Sequence, residues 1–274
     1  MTRLKTSIKW ALAFLLVCFI AHGEETIVLK DATFKSLCRV AEENTEKTRV
    51  EAFKARLTRE EAEALFTQYP HIEWGLLLPI AHHGVRTDQT AFSTLHGNES
   101  AGHISDNFYL FKYAPHLLAI DLGHNKVRDL NFLKDFPHLK VLMLGQNELD
   151  DLSIIGELTE LEYLELFSNG LTDISALSGL ANLKDLNLCY NQIEDFSPLY
   201  ALTGLERLYI RQATRDKEAL QAAAEKLREK LPECEINITN NGTQGEWRKH
   251  PRFEVIQRII KSGVYEPFED EPQN

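Results

Sequence analysis

A repeat of 22 residues dominates the chain and limits the folds open to it. From residue 116 to residue 203, four consecutive segments align without a gap, and a fifth begins at residue 204 and then departs from the pattern. A unit of this size is too small to bury its own apolar face, so neighbouring copies must stack around one continuous core. The period therefore predicts a solenoid in which each coil contacts only its neighbours. The recurring core positions are Leu117, Leu139, Leu161, Leu183 and Leu205, then Ile120, Leu142, Leu164, Leu186 and Leu208, then Leu122, Leu144, Leu166, Leu188 and Ile210.

Each coil combines two local patterns, one typical of a strand and one of a tight turn. Two core positions lie two residues apart, as Leu164 and Leu166 do, which matches the alternation of a short strand. The apolar residues that follow recur every third residue, which suits a 3₁₀-like turn because side chains i and i+3 eclipse there. The coils therefore present strands on one side and turns on the other.

One asparagine recurs in every coil, where the strand ends and the chain turns inward. Backbone groups that leave the strand ladder there must still be paired when they are buried. A short amide offers both donors and an acceptor, so we expect a structural role; a row of asparagine ligands is the alternative. This row consists of Asn125, Asn147, Asn169 and Asn191.

A second polar row has the same period and raises the question of calcium. The row consists of Asp129, Asp151, Asp173 and Asp195. Each aspartate is followed two residues later by Asn131, Ser153, Ser175 or Ser197, which are types that favour the N-cap of a helix. Proline follows Ser197, where a helix start favours it. We therefore expect turn and cap chemistry in this row, with calcium binding as the alternative.

The repeat resembles the leucine-rich-repeat family, L-x-x-L-x-L-x-x-N-x-L, in the short 22-residue form found in bacterial internalins. The resemblance covers residues 104–212. It implies an α/β solenoid, a horseshoe or arc with a parallel β-sheet on the concave face, flanked by α+β caps. It also implies a non-enzymatic protein-interaction module, although a fold does not determine its partner.

The strand residues between the core leucines are expected on the concave face, where they form the candidate partner site. Aromatic side chains among polar ones are typical of the centre of a protein interface, whereas single exposed aromatics carry no such meaning. The pattern favours a protein or peptide ligand. The candidate residues are Asp121, His124, Met143, Tyr163, Glu165, Phe167, Tyr190, Arg207, Tyr209 and Arg211.

The first 23 residues predict a signal peptide and therefore a secreted or cell-envelope protein. A basic segment precedes an apolar run from Trp10 to Ile20, about half the ~20 residues of a membrane span. Small residues before Glu24 predict cleavage after Gly23. An uncleaved anchor and a lipid on Cys18 are the alternatives. Cys38, Cys189 and Cys234 would remain, and the sequence does not select a disulfide among them.

The regions around the repeats predict caps for the two ends of the solenoid. Residues 24–103 contain a helical region with Phe34, Leu37 and Val40 on one face, and then a capping box formed by Thr58 and Glu61. Residues 213–239 repeat the order of helix, proline and strand. Residues 240–274 form a tail with a short helix, in which we expect Trp247 and Phe253 to pack back on the domain, followed by a disordered end. The string around Trp247 also resembles a G-x-W-R-x-H-P-R tail of bacterial secreted leucine-rich-repeat proteins.

Other functions find little support in the sequence. The formal net charge of −11 disfavours nucleic acid and anionic membrane surfaces, and none of the common nucleotide or hydrolase motifs occurs, so no cofactor is expected. The alternative is a metal-dependent or hydrolytic site, built from the histidines of residues 82–103 together with residues 247–252. A weaker alternative is a regulatory subunit similar to phosphatase-binding leucine-rich-repeat proteins. The candidate histidines are His82, His83, His96 and His103.

Overall fold

A computed structural model of the chain describes residues 17–21, 24–80, 84–94, 108–240, 242–243 and 245–268. The chain divides into two compact units. The first contains residues up to 79 together with 84–87, and the second contains residues 80–83 and 88–274. Within the described ranges, no helix is both long and apolar enough to cross a membrane.

The first unit is a five-stranded sheet with two helices. Its strands are β1 (Val17–Ala21), β2 (Glu24–Val28), β3 (Thr48–Ala52), β4 (Ile72–Leu78) and β5 (Val85–Arg86), in spatial order β1-β2-β3-β4-β5. The three central strands are parallel and both edge strands are antiparallel to their neighbours. Helices α1 (Phe34–Glu43) and α2 (Arg59–Gln68) connect the parallel strands.

The local signals of the first unit are confirmed in part. Thr58 and Glu61 form the predicted capping box, with Glu61 N–H donating to the Thr58 hydroxyl and Thr58 N–H to the Glu61 carboxylate. The helical region expected around Phe34, Leu37 and Val40 corresponds to α1, which strands β2 and β3 flank, and these two strands pair in parallel. The predicted signal peptide lies mostly outside the described residues; of it, Val17–Ala21 forms strand β1.

The second unit contains the repeat and confirms the predicted solenoid. Seven strands form one all-parallel sheet in the order β12-β11-β10-β9-β8-β7-β6, as expected for consecutive coils. The sheet extends one strand beyond the region of the resemblance at each end, through β6 and β12. The strands are β6 (Ala91–Ser93), β7 (Ala119–Asp121), β8 (Val141–Met143), β9 (Tyr163–Glu165), β10 (Asp185–Asn187), β11 (Arg207–Tyr209) and β12 (Glu235–Asn237).

The convex side of each coil is a single tight turn, as the three-residue spacing predicts. Four of these turns are 3₁₀, and the fifth, α3 (Ser153–Glu157), is one α-helical turn. The 3₁₀ turns span Phe108–Tyr113, Asn131–Asp135, Ser175–Gly179 and Ser197–Ala201. The residues between the strands and these turns bury their apolar side chains in the same core as the strand leucines.

The aspartate row confirms turn chemistry, with one correction. The Oδ1 atoms of Asp129, Asp151, Asp173 and Asp195 each accept the backbone N–H of the residue two positions later, at 2.7–2.8 Å. Each aspartate thus pairs a backbone N–H group that would otherwise lack a partner at the start of the turn. The serines and Asn131 are therefore the first residues of the turns rather than N-caps, and the preceding apolar residues occupy the cap position.

The asparagine row forms a buried ladder between coils, which confirms its structural role. Asn147 Oδ1 accepts the backbone N–H groups of Asn125 and Val127 from the preceding coil, at 3.1 and 2.8 Å. Its Nδ2 donates to the carbonyls of Leu122 and Leu144, both at 2.9 Å. Asn191, which lies two coils after Asn147, makes the corresponding four bonds. The amides of Asn147, Asn169 and Asn191 thus pair backbone groups of two coils, whereas Asn125 donates to the Gly123 carbonyl and the Thr94 hydroxyl.

The second unit ends in a cap helix and a tail that folds back. Helix α4 (Lys217–Lys230) precedes β12. Its N-cap is Asp216, whose side chain accepts two backbone N–H groups. Two further helices follow, α5 (Glu246–Lys249) and α6 (Pro251–Ser262). The expectation of a wholly disordered end is wrong for Phe268, which is buried.

We expect Asn147→Ala to destabilise the chain by about 3 kcal/mol, since it leaves the Asn125 and Val127 N–H groups and the Leu122 carbonyl without a partner. The Leu144 carbonyl keeps its bond from Asn169. Urea unfolding of the parent and the variant measures the difference. The control is Asn182→Ala, which removes one exposed bond to the Thr159 carbonyl and should cost less than about 0.5 kcal/mol. Equal losses in the two variants would contradict a role for the buried ladder.

Candidate functional site

The concave face of the sheet carries two rows of side chains in the predicted register. Each row contains one residue from each of five neighbouring strands. Half of these ten residues are polar or charged. The opposite face of the same strands buries only Ile120 and the leucines at the equivalent positions. The first row is Ala119, Val141, Tyr163, Asp185 and Arg207, and the second is Asp121, Met143, Glu165, Asn187 and Tyr209.

The concave face is covered by the chain's own C-terminal segment, residues 245–268. The predicted site residues along the middle of the face are therefore buried, and the expectation that they are exposed is wrong. The physical reason is that α5 and α6 pack their apolar side chains on the same sheet surface. The expectation that Trp247 and Phe253 pack back on the domain is confirmed. The buried site residues are Asp121, Met143, Tyr163, Glu165, Phe167, Arg207 and Tyr209.

Trp247 is the central anchor of this segment. Its side chain is fully buried, and its ring lies between those of Tyr163 and Tyr209, at centroid distances of 5.6 and 4.9 Å. The Arg207 guanidinium stacks over the indole at 4.5 Å from the ring centroid. A tryptophan held between two tyrosines and an arginine is the arrangement that dominates binding energy in many protein interfaces.

Glu165 is the polar partner of the anchor. Its Oε1 accepts from the Trp247 indole N–H at 2.9 Å, and its two oxygens accept a bidentate pair of bonds from Arg248 at 2.6 and 2.8 Å. The Tyr163 hydroxyl also donates to Oε1. Burial raises the pKa of Tyr163 well above its ordinary value, and the neighbouring Glu165 charge adds to this shift. This carboxylate thus receives two donors from the C-terminal segment, on adjacent residues.

A second charged cluster joins α6 to the first residues of strands β10 and β11. Asp185 Oδ1 accepts from Arg207 Nε at 2.7 Å and lies 3.3 Å from Arg252 Nη1. Arg252 Nη2 also donates to Glu206. Three polar atoms of this cluster are buried and lack a hydrogen-bond partner among the described residues: Asp185 Oδ2, Arg207 Nη2 and Arg252 Nη1. The cluster is therefore paired in charge and incompletely satisfied in hydrogen bonds.

Backbone contacts fix the two ends of the covering chain. Asn187 Nδ2 donates to the Gly242 carbonyl at 2.7 Å, and a Cβ on Gly242 would approach the Asn187 amide to 2.5 Å. At the other edge of the sheet, the Gly263 carbonyl accepts the N–H groups of Thr90 and Ala91 at 3.2 and 3.1 Å. The chain from Gly242 to Gly263 therefore crosses the sheet from β10 to β6.

Asp121 is a buried carboxyl on the concave face beside Glu165. Its oxygens accept from the Ser93 hydroxyl at 2.8 Å and the Gly123 N–H at 3.1 Å. Burial raises the pKa of Asp121 to about 6, despite the lowering effect of these two bonds. Burial likewise raises the pKa of the Cys189 thiol to about 11, which makes it a poor nucleophile.

Three of the predicted site residues remain at least partly exposed, on the margin of the sheet beyond the strand ends: His124, Tyr190 and Arg211. His124 and Tyr190 occupy the same position of their coils, with φ of 63° and 59°. Arg211 stacks over Tyr190 at 5.9 Å from the ring centroid. Gln146 and Ser168 continue the row between them, also at positive φ. We call the row of His124, Gln146, Ser168, Tyr190 and Arg211 the rim.

Sequence reasoning found the sheet side of the site and missed its cover. Arg248, Arg252, Ile256 and Ile259 contribute to the concave cluster from the C-terminal segment. The available signal was charge, since Arg248 and Arg252 of the C-terminal segment match Glu165 and Asp185 of the repeats. Spacing along the sequence alone does not reveal such a pairing.

The proposed metal-dependent alternative has no built site in the described part of the chain. The candidate histidines of residues 82–103 lie outside the described residues. Elsewhere, the described residues contain no group of three or more histidine, cysteine or acidic side chains placed to hold a metal. Cys38, Cys189 and Cys234 are free thiols.

We expect Glu165→Gln to lower the free energy of unfolding by about 2 kcal/mol, because the Arg248 and Trp247 donors lose their charged acceptor. Chemical denaturation monitored by Trp247 fluorescence measures the change. The matched control is Glu162→Gln, on the same coil, whose carboxylate lies 3.8 Å from Lys140 at the surface. That variant should change stability by less than about 0.5 kcal/mol. A similarly small effect of Glu165→Gln would show that this contact contributes nothing.

The raised pKa of Asp121 predicts that stability falls as the pH rises. The folded chain binds this proton more tightly than the unfolded chain does, so the resulting stabilisation is present below about pH 4. It is lost as the pH rises through about 6. Asp121→Asn should therefore be more stable than the parent at pH 7 by roughly 2 kcal/mol, and the difference should vanish near pH 4. Denaturation midpoints across this range test it, and a constant difference at every pH would refute it.

Comparisons with known proteins agree with the repeat geometry. The family described as Leucine Rich repeats (2 copies) matches residues 159–201, which contain β9 and β10. No curated protein sequence matches the chain.

Solved structures of bacterial leucine-rich-repeat proteins are among those similar to the chain. Internalin C2 of Listeria monocytogenes is 26% identical, with a TM-score of 0.42, over 55% of this chain and 74% of that protein. An internalin of the same organism, InlF, is 19% identical, with a TM-score of 0.44, over 71% of this chain and 61% of the internalin. A Leptospira interrogans leucine-rich-repeat protein is 24% identical, with a TM-score of 0.39, over 47% of this chain and 38% of the other. With its 22-residue coils, asparagine ladder and parallel sheet, the second unit of this chain is a leucine-rich-repeat solenoid.

Proposed function

We propose that the chain is an exported, non-enzymatic protein-binding module whose partner contacts the rim of the concave side. The leucine-rich-repeat solenoid supports this proposal, since the fold generally serves protein interaction. Export is supported by the basic and then apolar pattern of residues 1–23. The middle of the concave face is covered by the C-terminal segment, which leaves the rim as the accessible part of the predicted site.

The observation that carries the proposal is the arrangement of the rim itself. Successive coils place His124, Gln146, Ser168 and Tyr190 about 4.8 Å apart, just beyond the ends of the strands, and Arg211 stacks on the last of them. The row presents an imidazole, two small polar groups, a phenol and a guanidinium, and of these only Tyr190 packs in part against the concave cluster. Tyrosine and arginine are enriched among the residues that dominate protein interfaces. Because the row follows the sheet, it suits an extended or helical protein segment better than a small molecule.

The test is a triple variant of the rim, His124→Ala, Tyr190→Ala and Arg211→Ala, compared with a matched triple variant elsewhere. The control changes His116, Lys134 and Tyr200, which supply the same chemical classes at exposed or half-buried positions away from the rim. We expect the rim variant to lose bound proteins at least about tenfold, as hot-spot residues do, and the control to retain them. Quantitative mass spectrometry of proteins cross-linked to each chain measures this. Identical partner sets for the two variants would refute the rim as the binding surface.

A further inference from the structure

The concave face has the composition of a recognition surface rather than of a permanent core. The two faces of the same strands differ sharply, since one buries only aliphatic side chains and the other buries Asp121, Glu165, Asp185, Asn187 and Arg207 among aromatic residues. Asp, Glu and Arg are rarely buried completely unless they are paired. In this protein the C-terminal segment supplies arginine partners to Glu165 and Asp185.

The C-terminal segment binds this face as a peptide ligand would. It contributes a tryptophan anchor, two arginines that each pair with a buried carboxylate, and an apolar helix face formed by Phe253, Ile256 and Ile259. The outer face of the same helix is polar, with Glu254, Gln257, Arg258 and Lys261 exposed. An amphipathic helix laid into a groove is a recurring mode of peptide recognition.

One feature makes this occupant replaceable. Its fit is incomplete, because Asp185 and Arg207 of the sheet each keep a buried polar atom without a hydrogen-bond partner among the described residues. A ligand that satisfied those two atoms would compete favourably with it.

We infer that the concave groove is a recognition site for a helical segment of another protein, and that the C-terminal segment occupies this site in cis as its competitor. The ligand is recognised by a Trp-Arg pair that meets Glu165, a second arginine five residues after the tryptophan that meets Asp185, and apolar residues on one face of the following turns. This inference rests on the proposed protein-binding function and assigns it a second, regulated surface beside the rim.

The test uses the full chain with a protease recognition sequence inserted between Thr243 and Gly245. Cutting this link abolishes the high effective concentration of the tethered segment, which is of the order of millimolar for a short flexible connection. The probe is a fluorescent peptide with the sequence of residues 245–268. We expect the peptide to bind the cut chain about 100-fold more tightly than the intact chain.

Peptide variants test the chemistry of recognition. Peptides with Trp247→Ala or Arg248→Ala should bind the cut chain at least about tenfold more weakly, because each loses its bond to Glu165. The matched control is the Arg258→Ala peptide, since Arg258 is exposed and pairs only with Glu266 of the same segment. The control should bind as the parent peptide does. Equal binding of all three variants would overturn the assigned recognition chemistry.

Cys189 reports independently on whether the groove opens. Its thiol is fully buried in the concave cluster, so thiol labelling requires the segment to move away. In a chain with Cys18, Cys38 and Cys234 replaced by alanine, we expect labelling to accelerate at least about tenfold on cutting and dilution. The parent peptide should restore protection, whereas the Trp247→Ala peptide should not.

Three outcomes would overturn the inference. The cut segment could fail to exchange while Cys189 stays protected up to global unfolding, or the repeats could unfold once the segment leaves; either result makes the segment part of the permanent core. Reciprocal exchange between intact chains, seen as a dimer by light scattering, would make a second copy the occupant. The outcome of the rim-variant experiment does not change the peptide-binding or thiol-labelling results. Failure of the rim proposal can therefore be distinguished from failure of this inference.

Discussion

The turn that follows each strand is the constraint on which the solenoid depends. The chain must bend inward there while its backbone groups are buried, and the side-chain amides of the asparagine row pair those groups with the neighbouring coil. One bond of each amide stays within its own coil, and the others need the equivalent backbone of the stacked neighbour. The same contact therefore sets the 22-residue period, aligns the strands in register and fixes which residues face the concave side.

The asparagine ladder does not cover the side chains on the concave face. Short strands place every second side chain on the outer surface of the sheet, and here those positions hold bulky aromatics together with acids and an arginine. Leaving Tyr163, Phe167 and Tyr209 in water would expose a large apolar patch. The C-terminal segment removes that patch from solvent and brings the cations that the buried acids require. Apolar burial and charge pairing thus act on the same contact.

The repeat allowed much of the second unit to be predicted, because its period encodes strand, turn and ladder in each coil. Leu164, Asn169 and Asp173 each occupy the predicted environment for a reason that is local to one coil and its neighbour. The cover of the concave face could not be predicted in the same way. Glu165 and Arg248 are 83 residues apart and no periodicity connects them. The parallel strand pair β2 and β3 was not predicted either, since short, half-buried strands show little alternation of apolar and polar residues.

The balance between a structural and a regulatory role for the C-terminal segment depends on how much the charged contacts offset their own desolvation. Apolar anchors such as Trp247 and Ile256 favour closure by about 2 kcal/mol each. Buried ion pairs contribute much less net free energy, because desolvating both charges cancels most of their attraction. A groove held closed only by apolar residues would be committed to one occupant. The centre of this groove instead contains Glu165, Asp185 and Arg207. These charges lower the affinity for any occupant that lacks matching charges, and thereby favour selectivity over affinity.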